Sequence, residues 1–185
     1  MKIKNIKNIL LQIVTSPKNG WDIIKSEEFS VSDLILLFFV LLFIASVSLF
    51  FGLLLSLGLK LGISFIFVKV VFFVITYTIW FFLTIFTMRY IFLFYNKNNK
   101  FIDIVKLISF SSVILLFVSI ITNLFIDSSH LFITFLSEVY SVYIFVTGVS
   151  VIYKLTDNQR FLVSASYAVL LVLIFILIKT FQYFI

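Results

Sequence analysis

Long apolar stretches follow one another along the chain, separated by short polar interruptions. They cover residues 34–59, 65–88, 107–126, 131–153 and 161–178. Each is near the ~20 residues that a helix needs to cross the hydrocarbon of a bilayer. None shows the sustained period-2 alternation of a membrane β-barrel. A helix satisfies its own backbone groups, which lipid requires. Pro17 is the single proline and precedes the first stretch, so no span carries a proline kink. The pattern predicts an all-α fold, a polytopic bundle of five transmembrane helices.

The linkers are short. Asn96-Lys97-Asn98-Asn99-Lys100 separates the second and third spans, and Asp127-Ser128-Ser129-His130 makes a tight turn before the fourth. Lys154 and then Thr156-Asp157-Asn158-Gln159-Arg160 precede the fifth, and Gly58, Lys60 and Gly62 join the first two. Such connections make consecutive helices antiparallel neighbours.

Ahead of the first span, Ile3, Ile6, Leu10, Ile13 and Val14 recur at helical spacing, with Lys4, Asn5, Asn8 and Gln12 mostly elsewhere on the wheel. This predicts an interfacial amphipathic helix on the inner leaflet, its lysines facing anionic head groups. Pro17 and Gly20 end it, and Trp21 is placed as an interface anchor. Two parts follow: a cytoplasmic or interfacial segment over residues 1–30 and a transmembrane domain over residues 31–185. The start carries no small-residue cleavage site before Pro17 and is expected to be retained.

Composition agrees. Of 185 residues, 63% are hydrophobic and 12% charged, and the mean hydropathy is +1.25. Soluble domains are about half apolar and a quarter charged. The chain has no Cys and one His, so disulfides, thiolate catalysis and multi-His or Cys-ligated metal sites are excluded. No metal and no cofactor are expected. The net charge of +6 lies between apolar spans. It therefore reports orientation rather than nucleic-acid binding.

With the N-terminus inside, eleven of the fourteen Lys and Arg fall on the inner side: Lys2, Lys4, Lys7, Lys18, Lys25, Arg89, Lys97, Lys100, Lys106, Lys154 and Arg160. Lys60, Lys69 and Lys179 fall outside. The positive-inside rule places the N-terminus in the cytoplasm and the C-terminus outside, across a cell (inner or plasma) membrane.

Inside the spans, Glu138 and Lys69 form a candidate intramembrane polar pair. A buried carboxylate is costly unless paired, protonated or hydrated. The pair reads as a proton or substrate site, or as a structural contact with Lys69 snorkelling outward. Ser48, Gly52 and Ser56, at i, i+4 and i+8, make a small-residue face for close helix packing. Thr147, Gly148 and Ser150 offer another, as do Ser164, Ala165 and Ser166. Ser109, Ser111, Ser112, Ser119, Thr122 and Asn123 make the third span the most polar, the natural central helix. Trp80 and Tyr77 lie mid-span and pack, whereas Tyr90, Tyr95 and Tyr153 suit the inner interface. His130 beside Asp127 reads as an ordinary loop histidine.

The run Ser16-Pro17-Lys18-Asn19-Gly20-Trp21-Asp22-Ile23-Ile24, followed by Glu27 and Glu28, resembles the opening segment of bacterial Yip-domain proteins. Phe101-Ile102-Asp103-Ile104-Val105-Lys106-Leu107 is similar to the segment after that family's polar middle loop. Tyr140-Ser141-Val142-Tyr143, with Gly148 and Lys154, resembles its tyrosine-rich fourth span. One departure is plain: where the family carries Tyr-Ser and then a proline early in span three, this chain has Phe110-Ser111 and no proline. The resemblance implies five spans with the N-terminus inside. Eukaryotic members are similar to Rab-GTPase-interacting proteins of the Golgi and endoplasmic reticulum; the short bacterial type implies no established activity.

The expected function is therefore non-enzymatic: a membrane adaptor, scaffold or assembly and trafficking factor acting through helix packing and its N-terminal segment. Its partners would be the anionic bilayer and a protein, either another or a second copy, and not nucleic acid. The alternative is a small oligomeric transporter or channel using Glu138, Lys69 and the polar face of span three. A hydrated vestibule lined by Ser111, Asn123 and Glu138 would favour it.

Overall fold

The computed structural model describes residues 3–57, 62–95, 100–124, 129–153 and 155–184. The expectations for Gly58, Leu59, Lys60, the Asn96–Asn99 stretch, Asp127, Ser128 and Lys154, and for the side chains of His130 and Lys179, lie outside this description. The described residues form helices throughout: α1 (Ile3–Thr15), α2 (Pro17–Ser26), α3 (Val31–Leu57), α4 (Ile63–Tyr95), α5 (Phe101–Thr122), α6 (Ser129–Ile152) and α7 (Asp157–Phe184).

Four are long and apolar enough to cross a membrane, over Val31–Ser56, Ile63–Tyr95, Phe101–Thr122 and Phe132–Ile152. The fifth expected span falls on α7, 28 residues long and therefore about 42 Å. α5 is set apart by burial. The protein encloses 78% of its span, against 33–39% for the other three. This is the helix whose serines marked it as central in the sequence.

Residue contacts fix the directions. α3 and α4 are antiparallel: Phe38 stacks on Phe81 at 3.8 Å, whereas Phe43 and Phe50, farther along α3, line one cavity with Phe67 and Val70, nearer the start of α4. α5 runs parallel to α3: Phe29, just ahead of α3, meets Phe110 in the first half of α5, and Gly52, in the last turns of α3, abuts Asn123 at the end of α5. The Ser48 hydroxyl donates to the Ile120 carbonyl, and Asn123 Nδ2 donates to the Ala45 carbonyl at 3.2 Å. α6 returns antiparallel to α5, with Ser141 Oγ donating to the Ser111 carbonyl at 2.8 Å. α7 closes the bundle against α4 and α6. Tyr167 stacks on Phe145 at 4.0 Å and lies 6.4 Å from Trp80.

The α3–α5 contact depends on Gly52. A Cβ there would collide with the backbone carbonyl of Asn123, so the two backbones touch, as small residues permit. Ser48 and Gly52 both lie on the face of α3 that meets α5. Ser56 does not join them: it is exposed, and its hydroxyl turns to its own Leu53 carbonyl at 3.4 Å. Gly52→Val should push α3 away from α5 and lower stability by roughly 1–3 kcal/mol. Ser56→Val should leave it nearly unchanged. Thermal unfolding of both variants in detergent checks the contrast.

Candidate functional site

The candidate site is the seat of the N-terminal hairpin against α5 and α6. It begins at a break in the helix. Ser16 leaves helical geometry (φ −146°, ψ 76°), and Pro17 opens α2. There its fixed φ fits and its missing N–H costs nothing. Gly20 then lets α2 meet α1 backbone to backbone, since a Cβ would lie 2.8 Å from the Ile13 Cα. Ile9 and Ile13 of α1 are buried, whereas Lys7, Asn8 and Leu11 are exposed.

The hairpin then follows α6 in the same direction. Tyr140 Oη donates to the Val14 carbonyl at 2.6 Å, Trp21 Nε1 to the Ile144 carbonyl at 2.8 Å, and Lys25 Nζ to the Val151 carbonyl at 2.8 Å. Val14, Trp21 and Lys25 thus meet α6 in ascending order along it, at Tyr140, Ile144 and Val151. Lys25 serves one of the last carbonyls of α6, which no intrahelical N–H reaches.

α5 holds the hairpin from the other side. Lys106, only 7% exposed, donates to the Ile24 carbonyl at 3.1 Å and the Glu27 carbonyl at 2.9 Å. These carbonyls close α2, where the helix dipole also favours a cation. The ammonium lies 5.5 Å from the Phe29 ring centroid. Trp21 is fully buried. Its ring occupies the notch left by Gly148, where a Cβ would strike Trp21 and come within 2.6 Å of Leu107. Phe110 meets the indole edge-on at 6.1 Å. The ring assigned to the membrane interface is therefore enclosed by protein. Its N–H is satisfied by α6, so it has no need of the head-group region. At the same end Tyr153 is buried. Its ring stacks on Phe92 at 4.4 Å.

The other singled-out residues lie elsewhere. Glu138 on α6 and Lys69 on α4 are both half-buried. The contacts on view give them different partners. The Lys69 ammonium lies 4.7 Å from the centre of the Phe65 ring, one turn away on its own helix. Glu138 is within electrostatic reach of Tyr77, whose hydroxyl bonds to Ser119. Thr147, Ser150 and Ser166 bond back to the carbonyls of Tyr143, Val146 and Leu162. A cavity of about 550 Å³ opens between α3 and α4, lined by Phe39, Leu42, Phe43, Phe67 and Val70 among others. Ser111, Asn123 and Glu138 are not among its lining residues. Among the described residues, no group of His, Asp and Glu is arranged to hold a metal ion.

Sequence reading missed Lys106, Lys25 and Tyr140 as parts of the site. For Lys106 a signal existed: a lysine at the very edge of an apolar run, one turn inside its helix, needs acceptors close by. Lys106→Met keeps the length of the side chain and removes its three donors, leaving the Ile24 and Glu27 carbonyls unmet. The expected cost is about 1–3 kcal/mol. Amide exchange of α2 should quicken while that of α3 and α4 stays unchanged, as read by hydrogen-exchange mass spectrometry.

No curated protein and no solved structure matches the chain. A family does. The sequence pattern of the Yip1 domain matches residues 11–178, which takes in the end of α1, all of α2 and nearly all of the bundle, and the chain belongs to the Yip1 domain family.

Proposed function

We propose that this chain is a non-enzymatic membrane adaptor, a scaffold or assembly and trafficking factor that works by packing against a partner. One observation carries the reading: where the polar side chains go. Trp21, Lys25, Ser48, Lys106, Asn123, Tyr140 and Ser141 each reach across to another helix, and each donates to a backbone carbonyl there. Groups held in this way shape a surface and are not at hand for chemistry.

The rest of the reading concerns placement. α7 is the fifth span. The N-terminus is cytoplasmic and the C-terminus outside, in an inner or plasma membrane. Lys7 and Lys18, exposed on the hairpin, meet anionic lipid of the inner leaflet. The protein partner is another chain or a second copy, and it meets the α1–α2 hairpin. The chain has no Cys, so single cysteines report topology cleanly. Lys100→Cys and Asn158→Cys should react with an impermeant maleimide only from the cytoplasmic side, and Ser64→Cys and Ser129→Cys only from outside. A label pattern with Lys100 and Ser64 on one side would sink this topology.

The adaptor reading is tested by photo-crosslinking from Lys7 and Lys18 in native membranes. A discrete crosslinked band that disappears in Gly148→Val, which displaces Trp21, is the expected result. Lipid-only adducts in both proteins would refute it. One observation favours the transporter reading: Tyr77, Ser119 and Glu138 bring polar groups from α4, α5 and α6 together. Glu138→Gln decides it, because an unchanged phenotype with unchanged folding removes the basis for transport.

A further inference from the structure

Most hydroxyls inside the spans look after themselves. Ser46, Thr76 and Thr122 donate to the carbonyl four residues earlier, as Thr147, Ser150 and Ser166 do; Ser112 and Ser137 use the one three residues earlier. Such back-bonding is always within reach of a helical Ser or Thr. Thr84, Ser109, Ser111 and Ser164 depart from it. Their side-chain oxygens are buried without a hydrogen-bond partner, as is the Trp80 indole nitrogen. Trp80 has no such local remedy, because an indole N–H finds no acceptor on its own helix.

Four of the residues that carry these atoms gather around Tyr167 and Ser141. The Ser111 carbonyl accepts from Ser141, whose Oγ lies 2.9 Å from Tyr167 Oη. Trp80 lies against Tyr167, 6.4 Å between ring centroids. Thr84 is one turn from Trp80 along α4, and Ser164 one turn from Tyr167 along α7. The two helices are antiparallel, so both steps lead toward the same end of the bundle and leave Thr84 level with Ser164. Trp80 is 4% exposed, and Thr84 and Ser111 are fully buried.

We propose that the seam between α4, α5 and α7 is a binding site for water inside the membrane domain, held by Trp80 Nε1, Thr84 Oγ1, Ser111 Oγ and Ser164 Oγ. The chemistry selects water. One donor, Trp80, needs an acceptor that its own helix does not supply, and the three hydroxyls can each give or take a further bond. A water molecule supplies two donors and two acceptors, and buried waters typically make about three bonds to such groups. Charged ligands find no countercharge among these four groups, and an apolar ligand would leave the indole N–H unmet in a phase where that is expensive. The site is separate from the hairpin seat, so its failure would leave the adaptor reading untouched.

The two tryptophans provide the test. Both are buried, but the Trp21 N–H is satisfied by Ile144 and the Trp80 N–H is not. Radiolytic hydroxyl-radical footprinting of the full chain in nanodiscs generates radicals from water next to the side chain it modifies. Trp80 and Tyr167 should be modified several-fold faster than Trp21. In Thr84→Val the Trp80 rate should fall, whereas in Ser166→Ala, whose hydroxyl serves its own helix, it should not. Trp80 modified as slowly as Trp21 in the unaltered protein would overturn the proposal, with no variant required.

Discussion

A helix enclosed by other helices in a phase without water has few ways to hold its neighbours. The hydrophobic effect offers little, because lipid tails are as apolar as leucine. α5 is in that position, and the bundle is arranged around it. Two devices recur along it. The first is close approach at a glycine, Gly52 against Asn123 and Gly148 against Leu107 and Trp21. The second is a side-chain donor set against a helical carbonyl. A carbonyl already bonded within its own helix keeps a second lone pair. A neighbour can therefore be gripped without breaking the ladder. Asn123 and Ser141 use this spare capacity, whereas Ser48 and Lys106 answer carbonyls at the ends of α5 and α2; in all four α5 is giver or receiver.

The same economy explains why the N-terminal segment is part of the domain. α2 carries Lys18, Asn19, Asp22 and Lys25 and is only ten residues long, too short to persist alone in water. Its stability comes from its seat. Trp21 brings a large apolar area and one N–H donor into the Gly148 notch. Lys25 and Lys106 answer the carbonyls that end α6 and α2. The family match, which begins at residue 11, agrees with a domain that includes this hairpin.

Much of the bundle was legible in the sequence because lipid imposes a blunt code. Span lengths, the small-residue face at Ser48 and Gly52, and the polar character of α5 all follow from what hydrocarbon excludes. The hairpin seat was less legible for a definite reason. An amphipathic helix shows the same wheel whether its apolar face meets lipid or protein. Trp21 reads as an interfacial anchor until Gly148, far along the chain, is seen to leave room for it. Small residues were ambiguous in the same way: Ser48 crosses to α5, whereas Ser56, Thr147 and Ser150 serve their own helix. The sequence spacing of the two groups is alike, and only the rotation of each helix tells them apart.

Charges within the spans follow from the same reasoning. An ionic group in a membrane bundle invites a search for its opposite, and the sequence offers Glu138 to Lys69. The contacts in view give each group another neighbour. An ammonium over an aromatic face gains from the ring quadrupole, and Lys69 has Phe65 on its own helix. Glu138 has the Tyr77 and Ser119 layer near it, and Lys106 rests on two carbonyls and a ring. With 26 phenylalanines and 8 tyrosines in 185 residues, aromatic faces and phenols are the commonest polar-tolerant partners available. In a bundle of this composition an isolated charge can be accommodated structurally, so its presence alone is no sign of a transport path.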